Sequence, residues 1–416
     1  MSELFIYAFL VFFVVSLSVR LYLNYRQKLS VATHKNSVPI EFSDKINLKD
    51  HQKAADYTTT KLKFSNFEIV FDAIVLLFWT LGGGLSYLYS VVMMWNISSP
   101  ILSGLTIIGL FVAINMLIGL PFSWYNTFVI EERYKFNRTT YGTFFIDIIK
   151  GLGLGILIGA PLLWVILYLM GMAGNLWWLW AFFVYAGFSL VLMWVYPTII
   201  APIFNKFKLL DDDILINSIN NLLKKCGFKS KGIYIMDGSK RSGHGNAYFS
   251  GFGKNKRIVF FDTLLKTLNT QQIEAVLAHE LGHFKHKHIL KSIIMSMAFS
   301  LIGLAILGFI YNKLWFFQSF AIPSIDNAMA LLLFSLIMPV FTFLLSPVFS
   351  YLSRKNEYQA DDYAADKTDA NDLVDALVQM YKENASTLTP DSLYSSFYNS
   401  HPPASLRIKN LRRTSI

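Results

Sequence analysis

Apolar residues in this 416-residue chain are gathered into blocks long enough to cross a bilayer, and this restricts the fold more than any other feature. A helix needs about 20 consecutive apolar residues to span a hydrocarbon core roughly 30 Å thick, with its backbone polar groups paired within the segment. Seven such spans are predicted: Leu4–Leu23, Ile69–Trp95, Ile101–Leu120, Ile149–Met170, Leu176–Tyr196, Ile289–Tyr311 and Met329–Phe349. The first follows Glu3 rather than a basic segment and lacks a small-residue cleavage site, so it reads as a retained helix and not a signal peptide.

The connections sort by charge. Residues 24–67 hold eight Lys or Arg, and the next connection, Asn96–Pro100, holds none. The third carries Arg133, Lys135 and Arg138, while Gly171–Asn175 carries none. The fifth is long and lysine-rich, and the sixth has Lys313 alone. This positive-inside alternation puts the amino terminus outside and the carboxyl terminus in the cytoplasm. It also accounts for the formal net charge of +10. No nucleic-acid-binding signature accompanies that charge, so nucleic acid is not expected as a partner. A single cysteine, Cys226, excludes an intramolecular disulfide and a cysteine metal cluster. The chain divides into 1–196 (spans one to five), 197–288 (a cytoplasmic segment), 289–349 (spans six and seven) and 350–416 (a cytoplasmic tail).

The two cytoplasmic pieces are patterned to fold. Asp211-Asp212-Asp213 can cap a helix with Ile216, Ile219, Leu222 and Leu223 on one face and Gly227 at its end. Strand-like runs follow at Ile233–Met236, Ala247–Phe252 and Ile258–Phe261, the last two joined by a turn at Gly253–Lys256. Asn269 or Thr270 caps the next helix, which is expected to run on into span six.

That helix carries His279-Glu280-Leu281-Gly282-His283. Two histidines four apart project from one helical face, so both imidazoles reach one zinc ion at about 2.0–2.1 Å. Glu280 is placed to act on water without ligating the metal. Zinc lowers the pKa of a bound water to about 7, and a neighbouring glutamate can take its proton during attack on a polarised carbonyl. A catalytic zinc has three protein ligands and one open position, so a third ligand must come from elsewhere. His286 and His288 lie too close on the same helix and read as a basic, membrane-flanking segment. Glu357 is the better candidate, since span six leaves just after His283 and span seven returns just before Glu357 to the same membrane face. Asp361, four residues on, shares its helical face and can accept a hydrogen bond from a ligand imidazole.

His279–His283 together with Glu357-Tyr358-Gln359-Ala360-Asp361 resembles the type 1 CAAX prenyl endopeptidases, seven-span membrane zinc metalloproteases of the gluzincin type. The likeness extends to Glu131-Glu132-Arg133-Tyr134-Lys135-Phe136-Asn137 and Tyr196-Pro197. It takes in Ser242-Gly243-His244-Gly245-Asn246-Ala247-Tyr248-Phe249, Gly251-Phe252-Gly253-Lys254, His401-Pro402-Pro403 and Arg407. Tyr358 stands where the family commonly has Phe, and Ala404-Ser405-Leu406 is less acidic than its pattern.

The resemblance implies a mainly α, polytopic fold in which seven transmembrane helices form a barrel around an intramembrane chamber. A small α+β metalloprotease domain would hold one zinc ion per chain at its cytoplasmic side. It further implies Glu357 as third ligand and Asp361 as its neighbour's support. Asn246, Ala247 and Tyr248 would form an edge strand along the substrate, with His401 and Arg407 as catalytic residues stabilising the oxyanion. Substrates would be peptides or proteins, with or without a lipid, met at the membrane. Two protease readings stay open: CAAX-type cleavage, and quality control of membrane proteins with no lipid requirement. A transporter or channel with structural zinc is the third, and it leaves Glu280 without a use. The tail Arg412-Arg413-Thr414-Ser415-Ile416 shows no endoplasmic-reticulum retention signal, which leans toward a bacterial inner membrane.

Overall fold

A computed structural model of the chain describes residues 1–230, 232–250 and 257–414. The turn expected at Gly253–Lys256, and the Gly251-Phe252-Gly253-Lys254 motif, lie outside them.

Span one is α1, Ser2–Thr33. Span two is bent: α2 (Leu48–Trp79) meets α3 (Gly84–Met94) at 50°, across Gly82-Gly83-Gly84, where Gly83 takes φ +78. Only a residue without Cβ enters that left-handed region at no cost. Span three is α4 (Pro100–Tyr125), continued by a π-helical turn at Asn126–Glu131. Span four joins α5 (Tyr141–Leu154) to α6 (Ala160–Met172), and span five joins α7 (Trp177–Val195) to α8 (Ala201–Phe204), each through a π-helical turn.

The chain then leaves the membrane to build a small domain. Strand β1 (Phe207–Leu209) precedes α9 (Asp213–Lys225), whose N-cap is Asp212 and whose buried face is Leu215, Ile219, Leu222 and Leu223. Strands β2 (Ile233–Met236), β3 (Ala247–Ser250) and β4 (Arg257–Phe261) complete a sheet of order β1-β2-β4-β3. Strands β2 and β4 are parallel, the other pairs antiparallel, and β3 is an edge. The short α10 (Asp262–Leu265) leads to α11 (Thr270–Lys285), which opens with reciprocal bonds between Asn269 and Gln272.

Helix α11 does not run on into span six, as the sequence pattern suggests. It stops at Lys285, Lys287 adopts φ +56, and α12 (His288–Ile310) starts afresh as span six. After α13 (Leu314–Gln318), span seven forms from α14 (Asn327–Thr342) and the first turns of α15 (Ser346–Lys367). Helices α16 (Ala370–Glu383), α17 (Ser392–Tyr398) and α18 (Ala404–Thr414) fold the tail back against α11 and α15. Among the described residues, six helices are long and apolar enough to cross a membrane, and the bent pair makes seven.

Spans three to seven neighbour one another in a ring, joined by span one through span seven and by span two through span three. The ring is solid only at the end away from α11. There Phe9, Leu85, Ile107, Leu167, Trp177, Leu307, Phe316 and Leu333 share one buried cluster. Toward α11, no residue of 109–129, 141–166, 182–196, 289–306 or 341–356 is buried. Helices packed against one another would bury such a stripe, so the spans enclose a hollow. Its mouth meets the second core, built from α9, α11, α15, α16, α18 and the sheet.

Candidate active site

The site depends on how closely two helices approach. On α15, Glu357, Ala360, Asp361 and Ala364 are buried at helical spacing against α11. A Cβ on Gly282 would lie 2.8 Å from the Ala360 Cα and 3.0 Å from its carbonyl oxygen. The glycine inside the histidine motif is thus what lets the two backbones touch. This contact brings Glu357 across to the histidines.

Nε2 of His279 and Nε2 of His283 face each other at 3.2 Å. The Glu357 carboxylate lies 3.5 Å from the first and 3.4 Å from the second. Donors bound at about 2.0–2.1 Å to one tetrahedral ion are about 3.3 Å apart, so the three side chains have the spacing of a shared metal. Glu357 Oε2 is buried without a hydrogen-bond partner among the described residues. The donor set fits zinc.

The outer nitrogens are fixed as well. His279 Nδ1 lies 2.8 Å from Asp361 Oδ1, and the Arg407 guanidinium grips the same carboxylate with Nε and Nη2. Arg407 is buried, and its Nη1 reaches to 3.8 Å from Glu357. Its fork is therefore committed to carboxylates rather than turned into the cleft. His283 Nδ1 lies 3.0 Å from His288 Nδ1, and His288 Nε2 lies 2.9 Å from Gln359 Oε1. An amide oxygen only accepts, so His288 carries its proton on Nε2 and accepts on Nδ1 from His283. That leaves His283 Nε2 with a free lone pair toward the metal position. Sequence reading missed His288 and Gln359, taking the histidine as part of a basic flank. The turn at Lys287 folds His288 back onto His283, and no glycine marks that turn.

Glu280, His283, Glu357 and His401 open on a cavity of about 610 Å³, walled by Tyr185, Ser189 and Met193 of span five and Ser292, Ser296 and Met297 of span six. Burial holds the Glu280 carboxyl above its ordinary range, against the opposing pull of His279 and His283. His401 is exposed, with Nε2 3.4 Å from Glu357 Oε1 and Nδ1 3.0 Å from Ser400 Oγ. Tyr248 of β3 lines the same cavity. Phe261 N–H donates to Asn246 C=O, so ladder alternation turns the Ala247 N–H and C=O to the free edge. Asn246 Oδ1 accepts that N–H at 2.8 Å.

The approach to β3 is clamped by the third connection. His244 stacks on Phe136 with ring centroids 4.3 Å apart, and Gly243 N–H donates to Phe136 C=O. Glu131 accepts from the Tyr57 hydroxyl at 2.6 Å and pairs with His244.

A family model described as the CAAX prenyl protease N-terminal region, five membrane helices, matches residues 27–206, and that of peptidase family M48 matches residues 210–415. The chain belongs to the CAAX prenyl protease branch of peptidase family M48. It is 33% identical over 432 residues to CAAX prenyl protease 1 of Saccharomyces cerevisiae, covering 96% of this chain and 93% of the relative. With the CAAX prenyl protease 1 homolog of Arabidopsis thaliana it shares 39% identity over 70% of this chain and 69% of the relative. The crystal structure of S. mikatae Ste24p superimposes with a TM-score of 0.91 at 30% identity, covering 99% of each chain. This M48 protein is thus a metallopeptidase embedded in a membrane by several spans. Its relatives named here are eukaryotic, which does not favour the bacterial inner membrane expected from its tail.

Proposed function

We propose that this chain is a zinc endopeptidase that cuts prenylated, CAAX-type peptides near their carboxyl termini at the membrane surface. The observation that carries this reading is the meeting, in one cavity between spans five and six, of the His279–His283–Glu357 donor set, Glu280 and the free edge of β3. The names of the relatives support the substrate class. Zinc held by His279, His283 and Glu357 would polarise the scissile carbonyl and acidify a water.

Edge strand β3 takes the peptide in extended form, with the Ala247 main chain bonding to it as Asn246 releases the N–H. Such pairing fixes a scissile bond with little regard for side chains. Glu280 accepts the proton of the attacking water and returns it to the leaving amine. His401, exposed beside Glu357, donates to the developing oxyanion. Arg407 holds Asp361 and Glu357 in place. The zinc side faces the cytoplasm, following the distribution of Lys and Arg.

The test is cleavage of a farnesyl-cysteine peptide and its unlipidated twin by purified protein, with Glu280→Gln as control. The variant should keep its zinc and lose about 10²–10⁴-fold in turnover. Cutting confined to the lipidated peptide is the expected result. Equal cutting of both would replace CAAX selectivity with broad membrane-protein clearance. Full activity in the variant would remove Glu280 as the base.

A further inference from the structure

Helix α2 borders a second feature. A groove of about 570 Å³ runs between α2 and the end of span three. Its apolar part is aromatic: Phe64 and Phe67 of α2 face Phe122 and Tyr125. Phe67 stacks on Phe122 at 5.7 Å and Phe64 on Tyr125 at 5.1 Å. Phe67 and Tyr125 are nonetheless 60% and 42% exposed, so the stack presents an open face. At the edge of this aromatic wall stand Lys63 and Arg133. Both also line a neighbouring cavity of about 510 Å³, which continues past Lys53 and Lys49. The one acid lining it, Asp56, is paired with Lys35. Among the described residues, neither Lys63 nor Arg133 has a carboxylate within 4 Å.

The two halves lie at different depths. The apolar run of α2 begins near Ile69, and at about 1.5 Å per residue Lys63 sits roughly 9 Å below it, at headgroup level. Phe64 and Phe67 lie between, at the edge of the hydrocarbon. An aromatic wall reaching into the bilayer, with two unpaired cations at its headgroup end, fits one molecule that is apolar above and anionic below. We infer that this groove is a binding site for an anionic glycerophospholipid, with the acyl chain on the Phe64–Phe67–Phe122–Tyr125 wall and the phosphate between Lys63 and Arg133. Phe64 lines both this groove and the cavity containing Tyr57, Lys61 and His401. A bound lipid therefore touches a wall of the substrate's approach.

The experiment titrates the purified full chain with short-chain phosphatidylinositol phosphate and follows retained lipid by native mass spectrometry. Phosphatidylcholine of the same chain length and free inositol phosphate serve as controls. One anionic lipid should be retained at least tenfold more tightly than phosphatidylcholine. The headgroup alone should compete poorly. Each cation near a membrane surface contributes about a fivefold factor in affinity, so Lys63→Glu with Arg133→Glu should abolish the preference. Arg138→Glu, an exposed cation outside the groove, should leave it intact. Equal retention of both lipids, or equal weakening by Arg138→Glu, would reduce the feature to general surface charge and overturn the assignment. Displacement of the lipid by farnesyl-cysteine methyl ester would make the groove a prenyl site and also overturn it.

Discussion

The two histidines proposed as metal ligands are held by partners of unequal strength. His279 leans on an ionised carboxylate that Arg407 fixes from the far side, whereas His283 leans on a neutral imidazole fixed by an amide. Replacing the outer partner of a ligand histidine commonly costs 10- to 100-fold in metal affinity. Asp361→Asn should fall near the upper end, because it also takes from the buried Arg407 the nearer of its two carboxylate partners. Gln359→Leu should cost about tenfold, since His288 then loses the acceptor that fixes its tautomer. Gln359→Glu keeps an acceptor there and should retain most of the affinity. Chelator competition on purified protein measures all three, and wild-type affinity in Gln359→Leu would end the role given to that chain. His279, Glu280 and His283 were legible from spacing alone, and Glu357 from two membrane crossings. His288 was not. On an unbroken helix it would stand about 140° around from His283, and the turn that reunites them falls at a lysine.

Two elements, α11 and α15, meet along small residues, with Gly282 set directly against the Ala360 backbone. Its neighbour is backbone, so neither helix can yield by turning a side chain. Gly282→Ala should push the helices apart by several tenths of an ångström and stretch the distances from Glu357 to both histidines. Overpacking of this kind costs about 1–3 kcal/mol. Thermal unfolding of the zinc-loaded and zinc-free protein should both shift downward, with metal affinity falling in parallel. Adding Ala360→Gly should not rescue the variant, because the clash is with Cα and carbonyl oxygen. Full rescue would show that the contact is not the one described. The spans were readable from hydropathy, and α9, α11 and three of the four strands from caps and alternation, with Asp212 and Asn269 opening α9 and α11; the tail helices α16, α17 and α18 were not read. Strand β1 was not, being three residues paired to β2 across the sheet. The π-helical turns of spans three, four and five also leave no mark in hydropathy, since they widen a helix without changing which residues are apolar.

At the scale of the whole molecule, the spans are packed at one end and hollow at the other, and hydropathy cannot tell the two apart. A residue facing an enclosed chamber and one facing lipid are both apolar enough for insertion. The orientation can be tested first: reporters fused after Gly171 and at the carboxyl terminus should fall on opposite sides of the membrane. The hollow itself predicts an asymmetry around span six. Met297 lines the cavity beside the metal position, whereas Ile302 stands on the far face of the same helix and is 55% exposed. Placing an ionised carboxylate in hydrocarbon near mid-helix costs about 2.5–3.5 kcal/mol, and in a water-filled chamber far less. Ile302→Asp should therefore lower folded yield and melting temperature in nanodiscs, while Met297→Asp should leave both close to those of the parent. Equal losses would mean that the space enclosed by the spans is dry, and a peptide bond could not be hydrolysed on that side of Glu280.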